Sequence, residues 1–303
     1  MNKLFILAAL LILFFLVSGA SATVINNNTK KTFSTIQNAI DDTQTTNGHK
    51  IIVNQGIYTE NINIYKSLNL ISNGTVIITA RNTDQSTVSI TANGTVITGF
   101  TITNGNCGIY LKEVNKCTIT NNNMINNVDG IVGSSSNNNT ISANRIMYNN
   151  GTGISFECSN YNMISKNKIT NNNYGIILGY SMSNTISWNN ITNNKEKGIL
   201  LGTSLFTVLK GNSIKNSGYG LSIESGDDSV GPFIQYIDTS NTIDDKKIYY
   251  LLGIANKKYD SLSMGYLALV NCKNITIKNV TLSKNGQGIA IVNTTTPKSK
   301  TAA

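Results

Sequence analysis

An all-β solenoid of stacked coils is the fold this sequence predicts, and three observations carry the prediction. The first is a short phrase, glycine followed by an aliphatic residue, at Gly108, Gly130, Gly153, Gly175, Gly198 and Gly220, with intervals of 22, 23, 22, 23 and 22 residues. A fixed period of that size marks structural repeats stacked on one another. The second is a set of apolar columns in the same frame. One runs through Ile97, Ile119, Ile141, Ile164, Ile186 and Leu209, and another, five residues on, through Ile102, Met124, Ile146, Ile169, Ile191 and Ile214. Alternating pairs after each glycine, such as Ile109/Leu111 and Ile154/Phe156, add a third apolar face. The third observation is an asparagine column between the first two, at Asn122, Asn144, Asn167, Asn189 and Asn212.

Each coil therefore holds three short strands that point alternate side chains inward. Three strands in a coil of 22 or 23 residues are what a right-handed parallel β-helix requires. At the bend between two strands, stacked Asn amides are expected to hydrogen-bond from coil to coil and to satisfy backbone groups the bend leaves unpaired. That makes the column a structural ladder rather than a ligand stripe. A leucine-rich repeat would need recurrent leucines and a helical segment per repeat, and a hexapeptide helix would repeat every six or eighteen residues.

Taken in order, the chain opens with Lys3, an apolar run over 4–17 and the small residues Ala20-Ser21-Ala22, so 1–22 is expected to be a secretory signal peptide. Its run of 14 is shorter than the ~20 residues a membrane helix needs. No later run is long enough, so no membrane span is expected after cleavage. The segment 32–42 reads as a short amphipathic helix, with Phe33, Ile36 and Ile40 on one face and Ser34-x-x-Gln37 as a capping box. Such a helix can cover the open end of the core and the edge of the first coil. A single β-helix domain is expected over 23–293, with regular coils about 94–226, an irregular insertion about 225–265 and a flexible tail at 294–303. Within the insertion, 238–250 reads as a hairpin with Asp245-Lys246 at its turn. After it, Ile277, Val280, Leu282 and Gly288-Ile289 repeat the column spacing of Ile97, Phe100, Ile102 and Gly108-Ile109. Ten or more coils at ~4.8 Å each predict a rod on the order of 50 Å.

The net charge of +9 reflects a shortage of acids, 15 Asp plus Glu against 47 Asn, and the lysines are scattered. Nucleic-acid binding needs a concentrated basic stripe and is not expected; a mild attraction to anionic wall polymer or lipid headgroups is. Four cysteines, Cys107, Cys117, Cys158 and Cys272, form no CxxC pair and are expected to be mostly buried free thiols. Copper sites need clustered His, Cys or Met, and this chain has one histidine, His49, in a turn. No metal or cofactor is expected.

The repeat resembles that of the right-handed parallel β-helix, or pectin-lyase-like, proteins. More narrowly it resembles NosD-type exported proteins and the adhesin-like surface proteins of methanogenic archaea. The residues that carry the resemblance are FSTIQNAID at 33–41, IVNQGIYTENI at 52–62, the coils from Gly94 to Gly226, and the segment from IDDKKIYYLLG to 289. It is specific for fold and weak for activity, because the superfamily holds lyases, hydrolases, esterases and adhesins together.

Carbohydrate cleavage needs a positioned pair of carboxylates, or a carboxylate-bound cation with a basic residue. Gly226-Asp227-Asp228 resembles the paired-Asp element of polygalacturonases, making Asp227 and Asp228 the candidate catalytic residues. The rest of that family's set is missing, so the turn reads as a solvated bend. Glu113, Glu157 and Glu224 fall at similar repeat phase but two or three coils apart. Tyr110, Tyr148, Tyr174, Tyr180 and Trp188 are available for stacking on sugars but form no single column. The expected function is therefore a secreted or cell-surface structural or adhesive module that binds glycans or wall components. A polysaccharide-active lyase or hydrolase with a divergent site is the alternative, and a NosD-type accessory factor in metalloenzyme assembly is the third.

Overall fold

The computed structural model describes residues 23–282 and 288–295. The expected signal peptide and residues 296–303 of the expected tail lie outside the described residues. Almost every described element is a β-strand, and most strands pair in parallel with the equivalent strand one coil away. Eight strands form one long parallel sheet, from Ile62–Ile64 through Cys107–Lys112 and Tyr174–Gly179 to Tyr219–Glu224. Two rows of three-residue strands complete each coil. Thr118–Thr120 pairs with Thr140–Ser142 in one row, and Asn123–Ile125 with Arg145–Met147 in the other.

The apolar columns become stacks in register. Ile51, Leu70, Ile97, Ile119, Ile141, Ile164, Ile186, Leu209 and Ile237 follow one another across paired strands, all buried. The second column extends in the same way to Ile243. Because strand side chains alternate, every inward residue lies over its equivalent, and the core is one continuous cluster.

The repeated glycines have a packing cause. A Cβ at Gly153 would lie 2.8 Å from the Gly175 carbonyl oxygen and 2.6 Å from Ile169 Cγ2. Similar crowding meets Gly108, Gly130, Gly175 and Gly198, each against the carbonyl of the next glycine in the column. Here the chain passes too close to the coil beside it for any side chain.

The amino-terminal end is covered by the helix α1 (Ile36–Asp41), with Ile36, Ala39 and Ile40 buried on the core. Its capping differs from the expected Ser34/Gln37 box. Thr35 is the N-cap, its hydroxyl accepting from the Asn38 N–H at 3.1 Å. The buried Glu60 carboxylate accepts from the Ile36 and Gln37 N–H groups, both at 2.9 Å. A carboxylate from the next coil thus takes up orphan donors of the first turn and ties helix to solenoid.

At the other end the coil rhythm stops at Ile243. Thr242–Ile243 and Lys246–Leu252 form an antiparallel hairpin, and its turn is Asp244-Asp245, one residue earlier than expected. Both turn residues have positive φ, 46° and 65°, as a type I′ hairpin turn requires. The next strands repeat at 18 residues, with Ile248 opposite Tyr266 and Lys257 opposite Ile275, and the last at 22, with Leu267 opposite Ile289. Tyr266–Val270 is buried on both faces. Tyr266, Ala268 and Val270 join the main core, whereas Leu267 and Leu269 join a second cluster with Met264, Cys272 and Ile275. Ile277, Val280 and Leu282 pack against that second cluster and do not continue the Ile97 and Ile102 columns. The sequence spacing matched because both lobes use short strands; the hairpin carried the chain to the other face of the sheet.

All four cysteines are free thiols; Cys107, Cys117 and Cys272 are buried and Cys158 is exposed. Burial pushes the Cys107 thiol up to about 11 and raises that of Cys117. The native protein is expected to react with one equivalent of a water-soluble thiol reagent at pH 8, at Cys158, and with four after unfolding. Faster labelling of Cys107 than Cys158 would contradict this arrangement.

Candidate functional site: an exposed aromatic corner

The asparagine column is a ladder of buried amides. Asn167 Oδ1 accepts from the Asn144 main-chain N–H at 2.9 Å and from Asn144 Nδ2 at 3.1 Å, while its own Nδ2 donates to Ile141 O and Asn189 Oδ1. Asn122, Asn144, Asn189 and Asn212 repeat the pattern, and Asn241 adds a rung. Sequence reading missed three companion ladders. Asn127, Asn149, Asn172 and Asn194 form one, five residues after the first. Asn139, Asn162 and Asn184 form another, and Ser136, Ser159, Ser181 and Ser204 supply hydroxyls at a further bend. With their polar atoms spent on neighbouring coils, these residues hold the bends and present nothing outward.

The third ladder is interrupted at Thr207, whose hydroxyl is buried without a hydrogen-bond partner among the described residues. Thr207→Asn would restore an amide where Asn184 and Gln235 flank it. The variant is expected to gain about 1 kcal/mol in urea unfolding; a loss of stability would show that the gap is too small for the amide.

Asp227 and Asp228 border a groove with Glu224 and Ser229. Asp227 Oδ1 accepts from Ser225 Oγ at 2.9 Å and from the Ser229 N–H at 3.0 Å, the pattern of a side chain capping its own turn. Those bonds, from Ser229 and then Ser225, hold its carboxyl below the ordinary carboxylate range. A general acid needs the opposite shift. Glu224 is paired with Lys197. Glu157 and Glu224 share a column, but Gly179 and Gly202 stand between them, so they are three coils, roughly 14 Å, apart by strand spacing. Retaining or inverting hydrolysis needs carboxyls within about 5–9.5 Å. Glu113 lies one residue further on, at the bend occupied by Ser135 and Cys158 in later coils. His49 is engaged by Asn26 Nδ2 at 3.1 Å and Thr46 Oγ1 at 2.9 Å, and no group of three potential metal ligands occurs among the described residues.

What the outer surface does present is an apolar corner where the long sheet turns into the first row of short strands. At one bend position Tyr161, Ser183 and Phe206 succeed one another, each N–H bonded to the coil beyond. Two residues later the outward position runs Met163, Thr185, Val208 and Tyr236 in register. Tyr161 is 62% exposed and Tyr236 52%. The Phe206 and Tyr236 rings stack with centroids 6.5 Å apart and planes 24° from parallel. Tyr180 and Met182 on the intervening coil are exposed too, and Met182 pairs by a bridge with Leu205. Across the strand Thr185–Ser187 stands Trp188, exposed and lying over Gly211.

Two features describe this corner. Tyr161, Tyr180 and Phe206 hold positive φ, 58°, 48° and 56°, a conformation that strains a bulky residue by roughly 1–3 kcal/mol. Other coils hold the same positive φ at these bends with smaller or polar residues, Lys116, Asn138 and Ser183 at one and Glu113, Ser135, Cys158 and Thr203 at the other. The rings also lie in water rather than in the core. Neither backbone preference nor packing accounts for them. Of the five aromatics singled out in the sequence, Tyr180 and Trp188 belong to this surface, whereas Tyr110, Tyr148 and Tyr174 are half-buried.

Together the stacked columns, three strands per coil and bend ladders define a right-handed parallel β-helix protein. Residues 86–233 match the family model described as the right handed beta helix region. Over 98 residues the chain is 54% identical to a cell surface glycoprotein of Methanothermus fervidus, covering 32% of this chain. That match spans 16% of the relative's length. Among solved structures, the polygalacturonase of Erwinia carotovora ssp. carotovora aligns with a TM-score of 0.61 at 12% identity, over 86% of this chain and 92% of that one. The catalytic domain of a GH87 α-1,3-glucanase in complex with nigerose aligns with a TM-score of 0.54 at 15% identity, over 88% and 66%. At such identities the likeness is one of fold alone.

Proposed function

We propose that this protein is a secreted or cell-surface β-helix module that binds glycans, with a structural or adhesive role. The single observation that carries the reading is the exposed aromatic corner on a rigid, laddered scaffold. Sugar rings present C–H faces that stack on aromatic rings, and their hydroxyls pair with the amides and hydroxyls that dominate this surface. The likeness to a cell surface glycoprotein supports the location, and no described helix is long and apolar enough to cross a membrane. Catalysis is not part of the proposal: Asp227 caps its own turn, Glu224 is paired with Lys197, and Glu157 stands three coils from Glu224.

A glycan array probed with residues 23–303 tests the reading, with Asp227→Asn/Asp228→Asn as the comparison. Binding by both proteins is the expected result. Absence of binding by either would leave a purely structural role, and loss of binding only in the double variant would move the site to the 227–228 groove.

A further inference from the structure

Resting on that reading, the geometry points to a particular site and ligand class: an uncharged, extended polysaccharide lying along the rod axis on the corner built by Tyr161, Phe206 and Tyr236. Three observations lead there. Large rings stand in water at bends that other coils fill with Lys116, Asn138 or Ser183, so neither the bend nor the core calls for an aromatic there. They recur along the coil stack, so their spacing follows the coil rise. A pyranose in an extended chain is about as long as one coil is tall, which lets successive sugars meet successive coils.

The third observation is charge. The outward positions of the corner are Tyr161, Met163, Met182, Thr185, Val208 and Tyr236, none of them ionisable at neutral pH. Lys210 and Asp238 border the corner in one groove with Val208 and Tyr236, Lys166 lies beyond it near Trp188, and Glu157 ends the strand before it. An acidic polymer would find at that border a lysine matched by an aspartate, and would lose hydration without net compensation. A neutral polymer gives up only the hydration of hydroxyls, which polar groups at the edges can replace. The flanking Ser183, Thr185, Asn160 and Thr203 supply hydroxyls and an amide for its edges.

The repeat itself supplies variants that keep the fold. Asparagine occupies the Tyr161/Phe206 bend at Asn138, and threonine occupies the Tyr236 strand position at Thr140 and Thr185. The test compares the wild-type chain 23–303 with Tyr161→Asn/Phe206→Asn/Tyr236→Thr by affinity electrophoresis in gels containing hydroxyethylcellulose, laminarin, galactomannan or polygalacturonate, in 0.3 M salt. The expected result is retardation of the wild type by at least one of the three uncharged polymers, at least tenfold weaker affinity in the triple variant, and a melting temperature no lower than the wild type's, since asparagine takes a positive φ with less strain. Equal retardation of both proteins would overturn the assigned corner while leaving glycan binding in place. Retardation by polygalacturonate alone would overturn the ligand class. A wild type that none of the polymers retards would remove both this inference and the reading beneath it. Wild-type self-association abolished by the triple substitution would make the corner an interface between copies of the chain, and would equally overturn the proposal.

Discussion

Replacing Asn167 by alanine is expected to lower the unfolding free energy by about 3 kcal/mol. The residue sits in the middle of the first ladder, fully surrounded, and its amide serves both neighbouring coils. Truncation leaves the Asn144 N–H without its acceptor and Asn144 Nδ2 with only Ile119 O. Each buried orphan costs about 1–3 kcal/mol, and they cannot re-pair because the strands on either side fix the bend. Asn190, one coil on and exposed, is the matched comparison, and Asn190→Ala should stay within about 0.5 kcal/mol of the wild type. Urea titration of the two variants separates a ladder residue from a surface one. Equal effects would mean the ladder adds nothing beyond the average surface asparagine.

The second large effect is expected at Gly153. In Gly153→Ala the added methyl would press on the Gly175 carbonyl, which lies in the adjacent strand, and on Ile169 Cγ2 in the core. Neither can retreat without shifting the register between Thr152–Glu157 and Tyr174–Gly179. Overpacking of this kind costs about 1–3 kcal/mol, and the upper end applies because one obstacle is backbone. Gly179→Ala is the opposite case. There the nearest atom to a new Cβ is Glu157 Cγ at 3.9 Å, so the change should be neutral or gain about 0.5 kcal/mol through the unfolded chain. A Gly153→Ala variant as stable as the wild type would show that the glycine period has another cause.

These two residues also show what a single sequence exposes. The Gly153 column was legible because one steric demand recurs at every coil and admits one residue type. The Asn167 column was legible for the same reason. Its companion at Asn127, Asn149, Asn172 and Asn194 was hidden by abundance, because a chain with 47 asparagines offers many rows by eye. The five-residue offset repeated from Asn122 to Asn127 was the available signal. The carboxy-terminal lobe was misjudged because a type I′ turn at Asp244-Asp245 moves the chain to a different face while the local strand pattern continues. Nothing in the spacing of Ile277 and Leu282 distinguishes one core from another.

The aromatic corner escaped for a geometric reason. Tyr161 and Phe206 share a bend phase two coils apart, with Ser183 between, while Tyr236 reaches the same surface from a strand position. A search for one column cannot assemble residues from two. Alignment by bend, once the ladders fix the frame, brings them together.

The central claim is that a rigid β-helix presents this uncharged corner to a glycan. Isothermal titration of the chain 23–303 with the best-retained uncharged polysaccharide, at 0.05 M and 0.5 M salt, tests it most directly. Saturable binding of equal affinity at the two salt concentrations is expected, since stacking and neutral hydrogen bonds are not screened. No saturable binding at either concentration, or binding that disappears at 0.5 M salt, would contradict that claim, because screening does not weaken stacking on an uncharged polymer.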